Sequence, residues 1–182
     1  METQLNNHGF KVTRTLNINI SADKLWEIIG PGFSEAYVWA SSVDHSVGKG
    51  TSKFEGAPCD ERFCDVNAKG FNKIEEKLIK YNDDSMNLAY QITNGMPGFI
   101  SKAVNNWKVI PANANTSTLE MNADFELQGF MGRFMKPMMK KKMESLLDII
   151  LEDAKVYAET GRISEHKRKR IETLKRKNKV AA

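Results

Sequence analysis

The 182-residue chain carries a formal net charge of +4 and is 41% hydrophobic, enough for one domain with a sizeable core and too apolar for a disordered chain. The charge is uneven: from Arg162 onward nine Lys or Arg face two Glu, so that tail holds +7 and the remainder −3. A basic nucleic-acid-binding body is thereby excluded, and only the tail invites an anionic partner.

No apolar run approaches a membrane span, and the first residues, METQLNNHGFKV, lack the hydrophobic stretch of a signal peptide, so a cytoplasmic location is expected. Cys59 and Cys64 do not suit a structural disulfide in a reducing cytosol. Even with His45 they fall short of the four ligands of a structural zinc site, so neither metal nor cofactor is expected.

Phe10 to Ile20 alternates apolar and polar residues, which predicts a half-buried strand with Arg14 on its apolar face. That arginine either snorkels from a frayed end or faces an interior pocket. Ser21 offers an N-cap for a short amphipathic helix through Leu25, Trp26, Ile28 and Ile29, stopped at Gly30-Pro31-Gly32. A second helical turn fits Phe33 to Ala36. A strand is predicted from Tyr37 to Val47, with Tyr37, Trp39, Val43, His45 and Val47 on one face. Gly48 to Pro58 reads as a loop, with room for a short strand at Thr51 to Phe54.

Glu61 to Val66 and Phe71 to Tyr81 flank the turn Asn67-Ala68-Lys69-Gly70, a hairpin. Glu76 falls on the apolar face of its strand, and Arg62 is its best partner across the hairpin, because an unpaired buried charge is very costly. Met86 to Ile92, Phe99 to Ile110 and Leu119 to Leu127 are further strands. Gly129 to Gly161 then repeats apolar residues in steps of three and four, starting with Met131, Phe134, Met135, Met138 and Met139. Pro137 marks either the first turn of the main helix or a kink, and Gly161 a stop. Asp148 and Asp153 fall on its polar side. Such a helix, about 24 residues or roughly 36 Å long, needs a broad sheet to cover its stripe. The order implies an α+β domain in which about seven antiparallel strands curve around the long C-terminal helix, with two short helices after the first strand.

Several polar residues fall on inward faces: His45, Arg62, Glu76, Tyr90 and Asn105. A fully packed core rarely tolerates so many, whereas an apolar pocket with a few convergent polar groups is the usual small-molecule site. Trp39, Trp107, Met135, Met139 and Met143 complete the expected lining. Core filling is the ordinary use of a methionine stripe, and an ion pair the ordinary use of Arg62 and Glu76. If the pocket is catalytic, Glu76 or His45 supplies the acid/base, and Tyr90 or Arg62 polarises a carbonyl. No hydrolase triad order, phosphate loop or HExxH motif is present.

One family pattern runs through Ile18-x-Ile20-x-Ala22, Leu25-Trp26, Trp39, Val43, Arg62-x-Cys64, Glu76-x-Leu78, Tyr90, Trp107-x-Val109, Pro111 and Tyr157-Ala158-Glu159-x-Gly161. In this order the chain, from Phe10 to Gly161, resembles the START-like, birch-pollen-allergen-type superfamily with its helix-grip fold, and within it the polyketide cyclase/dehydrase and lipid-transport branch. The resemblance implies a cavity between sheet and helix that binds a hydrophobic or amphipathic small molecule. The alternative reading is a cyclase/dehydratase-like enzyme. The sequence departs from the family in its 48–58 loop and in residues 162–182, a basic extension expected to be solvated or weakly helical. That extension carries a third reading, association with RNA or an anionic membrane, although no aromatic residue lies among its charges.

Overall fold

A computed structural model describes residues 9–68 and 71–180. The strands are β1 (Phe10–Ile18), β2 (Val43–Lys49), β3 (Glu61–Ala68), β4 (Phe71–Asn82), β5 (Asn87–Asn94), β6 (Ile100–Asn113) and β7 (Thr116–Leu127). They form one antiparallel sheet in the order β1-β7-β6-β5-β4-β3-β2. From β2 to β7 each strand pairs with the next along the chain, while β1 closes onto β7. β7 shows the cause most plainly: every second residue from Ser117 to Leu127 is buried, so one face packs and the other meets solvent. Lys69 and Gly70 of the predicted β3–β4 turn lie outside the described residues.

Two short helices fill the link from β1 to β2: α1 (Ala22–Ile29) and a 3-10 helix (Pro31–Val38). The predicted strand from Tyr37 therefore begins only at Val43. Pro31 sits in the first turn of the 3-10 helix, and the Ala40 N–H reaches the Ala36 carbonyl at 2.8 Å, so the chain keeps turning where alternation suggested extension. Thr51 to Phe54 forms no strand. The indole of Trp26 packs over Gly30, where a Cβ would lie 2.5 Å from the ring, and its Nε1–H donates to Asp83 at 2.7 Å. That bond fastens α1 to the β4–β5 turn.

The long helix α2 (Gly129–Thr160, 32 residues) crosses the concave face. It starts eight residues before Pro137, which therefore sits inside it and leaves the Arg133 carbonyl without its helical donor. Gly161 ends it in a left-handed conformation (φ 67°), its N–H bonded to the Tyr157 carbonyl at 2.8 Å. Leu147, Ile150, Leu151 and Ala154 are buried against the sheet. Each large apolar side chain so covered contributes about 1.5–3 kcal/mol. Arg14 pairs with Asp148 at 2.9 Å and lies 4.0 Å from Glu144, clipping β1 to the helix flank. Asp153, expected on the polar side, is instead fully buried. One of its oxygens accepts the Ser41 N–H at 2.7 Å and the other accepts the Ser164 hydroxyl.

The basic tail forms a third helix, α3 (Glu165–Val180), whose first turn is anchored rather than solvated. Ser164 Oγ accepts the Lys167 N–H at 3.1 Å, an N-cap bond. The buried Lys167 ammonium donates to the carbonyls of Ala40 at 3.0 Å and Val43 at 2.7 Å, and Arg170 pairs with Asp44. Among the described residues no helix is long and apolar enough to cross a membrane.

Candidate functional site

Between α2 and the sheet lies a cavity of about 160 Å³. The sheet supplies Arg62, Ile74, Glu76, Leu88, Tyr90, Asn105, Trp107 and Phe125. The 3-10 helix closes it with Phe33 and Ala36, Trp39 follows, and α2 lends Met143, Leu146, Leu147 and Ile150. The space is comparable to a dry cavity that holds a one-ring guest.

Strand register builds the polar wall. Arg62 of β3 lies directly opposite Glu76 of β4, as the hairpin predicts, and Tyr90 of β5 lies opposite Asn105 of β6. Arg62 donates from Nε to Glu76 Oε2 at 2.7 Å and from Nη1 to the Phe33 carbonyl, and its Nη2 forms an ion pair with the same Glu76 oxygen at 2.5 Å. Its guanidinium also stands 4.0 Å from the Phe33 ring centre and 5.3 Å from that of Tyr90. Cys64 Sγ lies 3.4 Å from the same Glu76 oxygen. Two hydrogen bonds and the Nη2 ion-pair contact thus converge on Oε2, while Oε1 accepts no hydrogen bond among the described residues. The Trp107 Nε1–H likewise completes none of good geometry.

This environment moves the neighbouring ionisation equilibria. Burial, the largest single influence, would lower the Arg62 pKa, but the Glu76 charge together with Cys64, Tyr90 and the Glu76 hydrogen bond more than offsets it, so the guanidinium is held charged above its ordinary range. Burial pushes the Cys64 thiol up to about 12, with Arg62 opposing and Glu76 reinforcing. Burial, then the Glu76 charge, raises Tyr90 well above its usual value. Arg62 and the nearby Trp107 N–H oppose that rise. Tyr90 is therefore a neutral hydrogen-bonding group at physiological pH.

Of the residues expected to line the pocket, Trp39, Arg62, Glu76, Tyr90, Asn105, Trp107 and Met143 do so. His45 does not. A pairing irregularity between Val43 and His45 flips the strand's parity, so Ser46 turns inward and His45 is exposed beside Tyr37. It is too far round the sheet to serve as an acid/base in the cavity. Met139 packs against the core without lining the space, and Met135 is half-buried outside it. Sequence reasoning does not find Phe33 and Ala36 as cavity walls; their signal is the helical turn that fits Phe33 to Ala36 after Gly30-Pro31-Gly32. Among the described residues no group of three or more His, Cys, Asp or Glu is placed to hold a metal ion.

The family described as polyketide cyclase/dehydrase and lipid transport has a sequence profile that matches residues 9–159. The chain belongs to this family. No curated protein matches this family member in sequence. In structure it is similar to a START superfamily protein from Mycobacterium smegmatis, with TM-score 0.67 and 15% identity over 84% of this chain and 99% of that one. It is also similar to truncated norcoclaurine synthase from Thalictrum flavum (TM-score 0.67, 12% identity, 85% and 96% covered). The protein XoxI from Bacillus cereus is a third (TM-score 0.62, 20% identity, 80% and 92% covered). At these identities the likeness establishes the helix-grip fold that the family member shares with them.

Proposed function

We propose that the protein binds a small hydrophobic or amphipathic molecule between α2 and the sheet. The observation that carries this reading is the cavity of about 160 Å³, apolar on most sides and polar at one wall. The unengaged Oε1 of Glu76 matches a hydroxyl or N–H of the guest. A guest with a compact apolar body and a polar end, such as a short lipid, isoprenoid or polyketide-like molecule, satisfies this. The family's description and its structural neighbours support the same reading. Cytoplasmic residence remains part of this proposal.

The test is native mass spectrometry of the purified protein, with solvent extraction of whatever it retains, beside the variant Ala36→Leu. Ala36 lines the empty space, so the larger side chain should occupy it at little cost in stability and abolish binding. A wild-type protein that retains nothing and binds no member of an apolar ligand panel refutes the reading. A second reading, a cyclase or dehydratase, is favoured by Glu76 alone, which lines the cavity with one free carboxylate oxygen. It requires that Glu76→Gln abolish turnover while leaving guest binding measurable.

A further inference from the structure

The first half of α2 does not do what its sequence stripe suggested. Phe130 is 82% exposed, Phe134 69%, Met131 52% and Met138 42%, four of the large apolar side chains left in solvent. Phe130, Phe134 and Met138 repeat every four residues, with Met131 beside Met138, so they form one outward stripe. The opposite face holds the helix to the fold: Gly132 is buried where a Cβ would meet the Leu127 Cβ at 2.9 Å, and Met139 and Met143 pack on the core.

Cations fringe this stripe. Arg133, Lys136, Lys140, Lys141 and Lys142 lie in the same half-helix, and no Asp or Glu occurs between Gln128 and Met143. None of the five makes an ion pair among the described residues. The neighbouring β5–β6 loop adds to the same end, because the Gln128 N–H donates to Phe99 O at 2.9 Å and its side-chain amide to Gly98 O at 2.8 Å. That places the half-buried Met96, Pro97 and Phe99 nearby.

An apolar stripe in water favours a partner with an apolar interior, and five unpaired cations favour one with a negative surface. A nucleic acid offers the second without the first. A bilayer with anionic headgroups offers both at the right separation, acyl chains below and phosphates at the level that long Lys and Arg side chains reach. We propose that the 129–142 face of α2 docks on an anionic bilayer. Phe130, Met131, Phe134 and Met138 enter the acyl boundary while Arg133, Lys140, Lys141 and Lys142 engage the headgroups. The surface lies beside the cavity rim, since Met96 and Met143 also line the cavity, but docking does not depend on what the cavity holds.

The experiment is flotation of the full-length protein with phosphatidylcholine vesicles, with and without about one-third phosphatidylserine. Binding is expected only with the anionic lipid, and it should be lost at about 0.5 M salt. Phe130→Ser with Phe134→Ser should lower the partition at least about tenfold, as should Lys140→Glu, Lys141→Glu and Lys142→Glu together. These side chains are exposed, so circular dichroism should show an intact fold. Lys175→Glu with Arg176→Glu, in exposed α3, should leave the partition unchanged. Several results would overturn the proposal: no binding to anionic vesicles, loss only with the α3 pair, or RNA binding that is insensitive to the Phe pair. So would sedimentation showing that the Phe pair holds two copies of the chain together without any vesicle binding.

Discussion

Replacing Glu76 by Gln tests the polar wall at its most buried point. The two side chains of the Arg62–Glu76 pair are each 5% exposed, so neither charge has bulk water to fall back on. Gln keeps the shape and one acceptor oxygen but removes the charge that holds the guanidinium. Breaking one partner of such a pair costs about 3–5 kcal/mol. Arg62 keeps the Phe33 carbonyl and the two flanking rings, which places this case near the lower end, about 3 kcal/mol. For a domain of this size the melting temperature should fall by about 6–12 °C. Urea unfolding measures the same loss as a shift in midpoint at constant slope. The double variant Arg62→Met, Glu76→Gln should recover more than half of it, since no charge is then left buried. A loss below about 1 kcal/mol for Glu76→Gln alone would refute the reasoning and mean that water in the cavity solvates Arg62 as well as Glu76 does.

Two further tests follow from the anchored helix and the buried thiol. Lys167→Met should destabilise the protein by about 1–3 kcal/mol, because the Ala40 and Val43 carbonyls lose their donor; a urea midpoint matching wild type would show that water replaces it. Cys64, raised from an ordinary 9.0 to about 12, should react slowly with iodoacetamide at pH near 9, and a rate equal to that of a free thiol would refute its burial. Because the folded state keeps a proton that the unfolded chain releases, this group's contribution to stability is complete below pH 9 and declines between pH 9 and about 12. The difference in urea midpoint between wild type and Cys64→Ala across that range reads the decline, and a difference independent of pH would contradict it.

What was legible in the sequence is what repeats locally. The alternation in β7, the β3–β4 hairpin and the placement of Arg62 opposite Glu76 all depend on side-chain period and turn chemistry, which neighbouring residues specify. The errors arise where a non-local or single-residue event intervenes. One irregularity in the β2–β3 pairing sends His45 to the far side, and nothing in VDHSV announces it. The spacing of α2 implies one apolar face, yet its first half carries two: Met139 and Met143 turn inward, while Phe130 and Phe134 turn outward. Asp153 and Lys167 look like surface charges until partners distant in the chain, Ser41 and the Ala40 and Val43 carbonyls, are brought to them.

The sheet order has a consequence for the growing chain. Phe10 pairs with Phe125 and Ile18 with Ser117, so β1 has no partner until β7 has been made. Closing a loop on the order of a hundred residues costs only modestly more entropy than closing a short one, but contacts so distant form slowly. During translation the β2–β6 meander can pair strand by strand, while β1 waits with both edges open. The sheet thus completes its wrap only once β7 has been made, and α2 follows directly in the chain to cover it.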